Sequence, residues 1–133
     1  DAPASGTGAV PATRLRAPRP RRMSPAEVAQ RGGVDAATLK ELTAHGLVTE
    51  MDTSAVDVCR LVARLREYGI EPRHLRSFRV AADREIGLVQ QALAPRRGSA
   101  SSLEESELTA QLLALLLDLH VALVRQRSST LES

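Results

Sequence analysis

From Leu108 to Val124 leucine or valine stands at ten positions: Leu108, Leu112, Leu113, Leu115, Leu116, Leu117, Leu119, Val121, Leu123 and Val124. At a helical period of 3.6 these residues spread around most of the circumference. A surface helix of a small monomer carries one apolar stripe. A helix apolar on more than one side is either the buried centre of its fold or the seat of another subunit. The 133 residues have room for one compact domain with a modest core, so the second outcome is expected. Leu112, Leu116, Leu119 and Leu123 share one helical face and are the expected dimer interface. Fully burying one Leu side chain is worth about 1.5–3 kcal/mol, so a few from each copy offset the entropic cost of association.

The rest of the chain is punctuated as helices. Ser24-Pro25-Ala26-Glu27 has the form of a capping box with Pro at the first helical position, opening a short helix to about Arg31. Gly32-Gly33 makes a turn. Asp35 caps a second helix, stapled by Val34 and Leu39, which stops at Gly46. Asp52 or Thr53 caps a third, with Ala55, Val58, Leu61, Val62 and Leu65 as its apolar stripe and Gly69 as its end. Pro72 opens a fourth helix to about Ala94, roughly 35 Å long, with Leu75, Phe78, Ala82, Ile86, Val89 and Leu93 three or four residues apart. Gly87 inside it costs on the order of 1 kcal/mol relative to Ala, which a close helix crossing would justify. Residues 95–101 form a mobile loop, and Ser102-Leu103-Glu104-Glu105 is the capping box of the fifth helix. With two aromatic residues, Tyr68 and Phe78, the core must be built from aliphatic side chains. The expected fold is all-α.

Charge divides the chain. Residues 1–22 carry Arg14, Arg16, Arg19, Arg21 and Arg22 against Asp1, a net of +4; the remainder has 13 basic and 15 acidic residues, a net of −2. The first 22 residues, rich in Ala, Pro and Arg, bury too little to offset ordering entropy and are expected to be a disordered linker. Residues 23–128 form the helical domain and 129–133 a flexible tail. The Arg run is a solvated tether or leans on DNA bound upstream. A domain that grips duplex DNA carries positive excess; this one is mildly acidic. The single cysteine, Cys59, excludes a disulfide framework and a Cys-based zinc site. It suits a reducing cytoplasm, and beside an apolar stripe it is expected to be buried rather than redox-active. The longest uninterrupted apolar run, Leu112–Leu117, is too short to span a bilayer, so no membrane partner is expected. A first residue other than Met suggests a piece of a longer protein.

The run from Met23 through Glu27-Val28-Ala29, Gly33-Val34, Thr38-Leu39-Lys40 and His45-Gly46-Leu47-Val48 resembles the helix-turn-helix of the MerR family of bacterial transcription regulators. The third helix with Glu67-Tyr68-Gly69-Ile70-Glu71 extends the resemblance over about half the chain. Tyr68 to Glu85 is similar to the C-terminal halves of actinobacterial members. The resemblance implies a C-terminal effector and dimerisation module of a homodimeric regulator, which reaches DNA through an upstream domain. The departures concern DNA contact. Ala37 replaces a basic residue, Glu41-Leu42-Thr43 replaces Tyr-Tyr-Glu, and only Lys40 keeps a positive charge. From Val48 the chain runs straight to Asp52, without the ten or so residues a wing hairpin needs. Glu41 and Glu50 would repel phosphates. A degenerate, wingless helix-turn-helix core followed by a long helical hairpin is therefore expected, and residues 23–133 should not read DNA. The alternatives are a working DNA-binding domain that relies on Lys40 and a peptide-binding adaptor.

Arg73, Arg76 and Arg79 step by three beside His74, near Tyr68 and Glu71. They make either a solvated edge, with Arg79–Asp83 an i,i+4 pair, or a site where a peptide or small-molecule effector presents an anionic group. His45, His74 and His120 fall on different helices, and no paired spacing points to a metal. His120 is expected at an interface. No phosphate loop, nucleophile–base pair or cofactor motif is present, so neither enzyme activity nor a cofactor is expected.

Overall fold

The structure is a computed structural model that describes residues 21–96, 98 and 101–132. Of the expected linker only Arg21 and Arg22 fall among them. Five α-helices and no strand occur among the described residues. They are α1 (Pro25–Gly32), α2 (Ala36–Ala44), α3 (Thr53–Arg66), α4 (Arg76–Leu93) and α5 (Ser102–Ser128). The chain ends in the two long helices, which are in contact. It forms two compact units that divide within α4, between Asp83 and Arg84.

In the first unit the caps set the helix boundaries. Ser24 Oγ accepts from the Glu27 N–H at 3.1 Å, with Pro25 at the first helical position. The expected box is only half made, because the Glu27 carboxylate turns to Arg21 at 2.9 Å and Arg31 at 3.1 Å. Gly33 closes α1 at φ 73°, and Asp35 Oδ1 accepts from the Thr38 N–H at 2.8 Å to open α2. Gly46, at φ 76°, follows the end of α2. Asp52 caps α3 through the N–H groups of Ser54 and Ala55. Here Glu71-Pro72 corrects the sequence-based boundary: Pro72–Leu75 is a 3₁₀ turn, and α4 begins at Arg76. The His74 side chain accepts from the Glu71 N–H at 2.9 Å, which favours the tighter turn.

The core of this unit is aliphatic. Val28 and Ala29 of α1, Leu39 and Leu42 of α2, Val48, and Ala55, Val56, Cys59 and Val62 of α3 are buried, and Leu75 closes the cluster. The inward face of α3 is rotated from the expected stripe: Val56 and Cys59 turn in, whereas Leu61 is exposed. Close passage of α1 over α3 explains the rotation. A Cβ on Gly32 would fall on the Cβ of Cys59, so Gly32 sets how near the helices come. Arg60 Nε reaches back to the Arg31 carbonyl at 3.2 Å and satisfies one acceptor at the end of α1.

In the second unit α5 is opened by Ser101, not Ser102: Ser101 Oγ accepts from the Glu104 N–H at 3.1 Å, and the Glu104 carboxylate turns back to Ser101. The box is shifted one residue because Ser101 precedes the first helical residue. Val89 of α4 and Ala110 of α5 are the buried residues of these helices. Elsewhere on the apolar stripe of α4, Phe78 (64 % exposed) and Ile86 are open to solvent and Leu93 is half-buried. A Cβ at Gly87 would meet nothing within 4 Å, so among the described residues no close helix crossing offsets its cost. Ala94–Arg96 and Ser129–Glu132 are 3₁₀ turns. Residues 97, 99 and 100 of the expected loop lie outside the described residues.

Candidate functional site

The residues of the basic edge are positioned by the Glu71–Arg76 connection. Arg76 Nε donates to His45 Nδ1 at 2.7 Å, tying the start of α4 to the end of α2. His74 is engaged in the 3₁₀ turn, and Arg79 pairs with Asp83 at 3.1 Å, as the i,i+4 spacing predicts. Arg73 lies exposed in the turn, and Tyr68, at the end of α3, is 83 % exposed. Arg76, His74 and Arg79 thus hold contacts within the chain, while Arg73 and Tyr68 present their polar ends to solvent.

Sequence reasoning passed over the residue that organises this junction. Arg66 of α3 donates from Nη1 to Thr38 Oγ1 at 2.7 Å and from Nε to Glu71 Oε1 at 3.0 Å. Its Nη2 stands 3.9 Å from Glu41 Oε1. One guanidinium therefore satisfies the buried Thr38 hydroxyl and neutralises two carboxylates from separate elements. Glu41, expected to repel phosphates, has its charge compensated within the fold. Arg66 and Thr38 are 28 residues apart, so no helical spacing links them.

A groove of about 560 Å³ lies over α1 and α2, lined by Pro25, Ala26 and Ala29 from the first and Ala36, Leu39 and Ala44 from the second. Met51 closes one side, and Lys40 and Thr43 supply polar atoms. Small side chains leave the helix backbones open to close approach. Chemically the groove suits an apolar group, with Lys40 able to meet a carboxylate at the rim. No cluster of metal-ligating side chains occurs among the described residues. Cys59 is fully buried, and burial pushes its thiol up, away from the reactive thiolate.

On α5 the four expected interface residues fall on the side away from buried Ala110. Leu112 and Leu116 are half-buried, and Leu119 and Leu123 are exposed. Leu115, also exposed, widens the same face. His120 is exposed beside it. Asp118, by contrast, has one carboxylate oxygen buried without a hydrogen-bond partner among the described residues.

Residues 21–132 match the family described as Rv1828-like, C-terminal domain. The chain is 34 % identical over 112 residues to the uncharacterized HTH-type transcriptional regulators Rv1828 of Mycobacterium tuberculosis (strain ATCC 25618 / H37Rv) and Mb1859 of Mycobacterium bovis (strain ATCC BAA-935 / AF2122/97). The matched segment is 78 % of this chain and 45 % of each relative, so the chain spans less than half their length. With 112 of its 133 residues matched, the chain belongs to the Rv1828-like C-terminal domain family.

Proposed function

We propose that the chain is the C-terminal regulatory module of a MerR-type transcription regulator. It joins two copies of the protein and receives an effector or partner, while an upstream domain reads DNA. The observation that carries this reading is the leucine face of α5, left open by its own chain at Leu115, Leu119 and Leu123. Contiguous exposed leucines on a rigid helix are an association surface.

By length and composition, α5 with the following turn is also long and apolar enough to cross a membrane. Asp118 near its centre and its family of transcription regulators favour protein contact instead. Support against direct DNA reading comes from α2. Ala37 offers no hydrogen bond, and Glu41 is committed to Arg66. The short Val48–Asp52 connection forms no wing strand. The groove over α1 and α2 is the place for an apolar effector or a partner's side chains, and Arg73 and Tyr68 form a second exposed polar edge.

Replacing Leu116 and Leu123 with Glu tests the association role. Each change sets a carboxylate into the shared face, so the variant is expected to be monomeric with helix content unchanged. A variant that keeps the oligomeric state of the parent would contradict the reading.

A further inference from the structure

The root of the basic segment is fixed in place. The Met23 N–H donates to the Met51 carbonyl at 2.9 Å, in the connection where a wing is absent. Immediately before it, Arg21 Nη2 lies 2.9 Å from Glu27 Oε2 and Arg22 Nη1 lies 3.0 Å from Glu50 Oε1. The two arginines next to the tie are thus both held by carboxylates of the acidic domain. They end a stretch whose five arginines give residues 1–22 a net charge of +4.

We propose that Arg21 and Arg22 form a contact for the phosphate backbone of duplex DNA, and that Glu27 and Glu50 hold this contact closed. A guanidinium binds carboxylate and phosphate with the same fork of donors, so the two acceptors compete. Both ion pairs are solvent-exposed on the arginine side, and exposed pairs hold little stability. Exchange onto DNA releases condensed counterions, which drives it at low salt. When Arg21 leaves, Glu27 retains Arg31 at 3.1 Å, so no carboxylate is stranded in an apolar site. The contact carries no sequence preference, because phosphates are the same at every step. It does not depend on α5 or on dimerisation, and it places a salt-sensitive grip beside a domain that does not itself read bases.

The test uses the full 133-residue chain and a fluorescent duplex of about 20 base pairs, with affinity measured by anisotropy over a salt series. Because removing two carboxylates raises the net charge anywhere on the surface, Glu27→Gln with Glu50→Gln is compared with Asp57→Asn plus Glu67→Gln, an equal change at exposed positions of the same unit. The first pair is expected to bind several-fold more tightly than the second at about 50 mM salt. Its log–log salt slope should be steeper by up to about 1.8, since each added phosphate contact contributes about 0.9. That gain should vanish when Arg21→Gln and Arg22→Gln are added. Equal gains from the two pairs, a gain that survives loss of both arginines, or no duplex binding by any variant would overturn the proposal.

Discussion

Ala110 and Leu119 point in opposite directions from α5. Nine residues separate them, and nine steps of about 100° amount to half a turn beyond two whole turns. Ala110 is 2 % exposed and Leu119 is 56 % exposed. The helix is therefore two-sided: one side meets its own chain and the other carries leucines into solvent. Two-sidedness accounts for leucine content that a single stripe would not need, and the outward side is the surface proposed above for association.

Gly32 and Cys59 set the distance between α1 and α3, so Gly32→Ala should destabilise the protein. Overpacking of this kind costs about 1–3 kcal/mol, to be read as a lower urea midpoint. Cys59→Ala should not rescue it, because the collision is with the Cβ that alanine retains. Rescue by that change would show the clash to be with the sulfur instead.

Gly87 offers the opposite case. It lies inside α4 with open space where a Cβ would stand. Gly87→Ala should stabilise the protein by up to about 1 kcal/mol through helix propensity alone. A fall in Tm would mean that another chain packs closely at Gly87.

Most of the fold was legible because its punctuation is local. Ser24, Asp35 and Asp52 cap three helices, and Gly33, Gly46 and Gly69 turn the chain at positive φ; each acts within a few residues of its own position. What escaped the sequence is long-range. The turn of Cys59 inward and Leu61 outward follows from the Gly32 crossing, which links residues 27 apart. The Arg66–Thr38–Glu71 node joins three elements with no common period. The spacing of Arg73, Arg76 and Arg79 is legible in the sequence, but the His45 acceptor for Arg76 lies 31 residues away. Ala26, Ala29, Ala36 and Ala44 could have signalled the groove, since small residues on two adjoining helices leave space between them.

Acid should loosen the caps. The Thr38 hydroxyl and N–H hold the Asp35 carboxyl below the usual carboxylate range, and the Ser54 hydroxyl does the same for Asp52. For groups with depressed folded values, the stability they add is complete above their unfolded value, about 3.9. It is lost as pH falls through the folded value. Thermal unfolding followed by circular dichroism from pH 7 to pH 2 should show Tm falling in the acid range. Asp52→Ala should cost about 1 kcal/mol at neutral pH and flatten part of that fall; an unchanged acid slope would remove Asp52 from the account.

Sequence-specific DNA reading should be absent. Selection from a random duplex library with residues 23–133 should enrich no motif, since Ala37 cannot hydrogen-bond a base and Glu41 is held by Arg66. Recovery of a defined motif would restore α2 as a recognition helix.

The central claim is that the open face of α5 joins two copies of the chain. Multi-angle light scattering of the unmodified protein measures this directly, as a molar mass at high micromolar concentration. The account predicts twice the 14.3 kDa of one chain. A mass of one chain at that concentration would contradict it and leave the leucines of α5 without a partner.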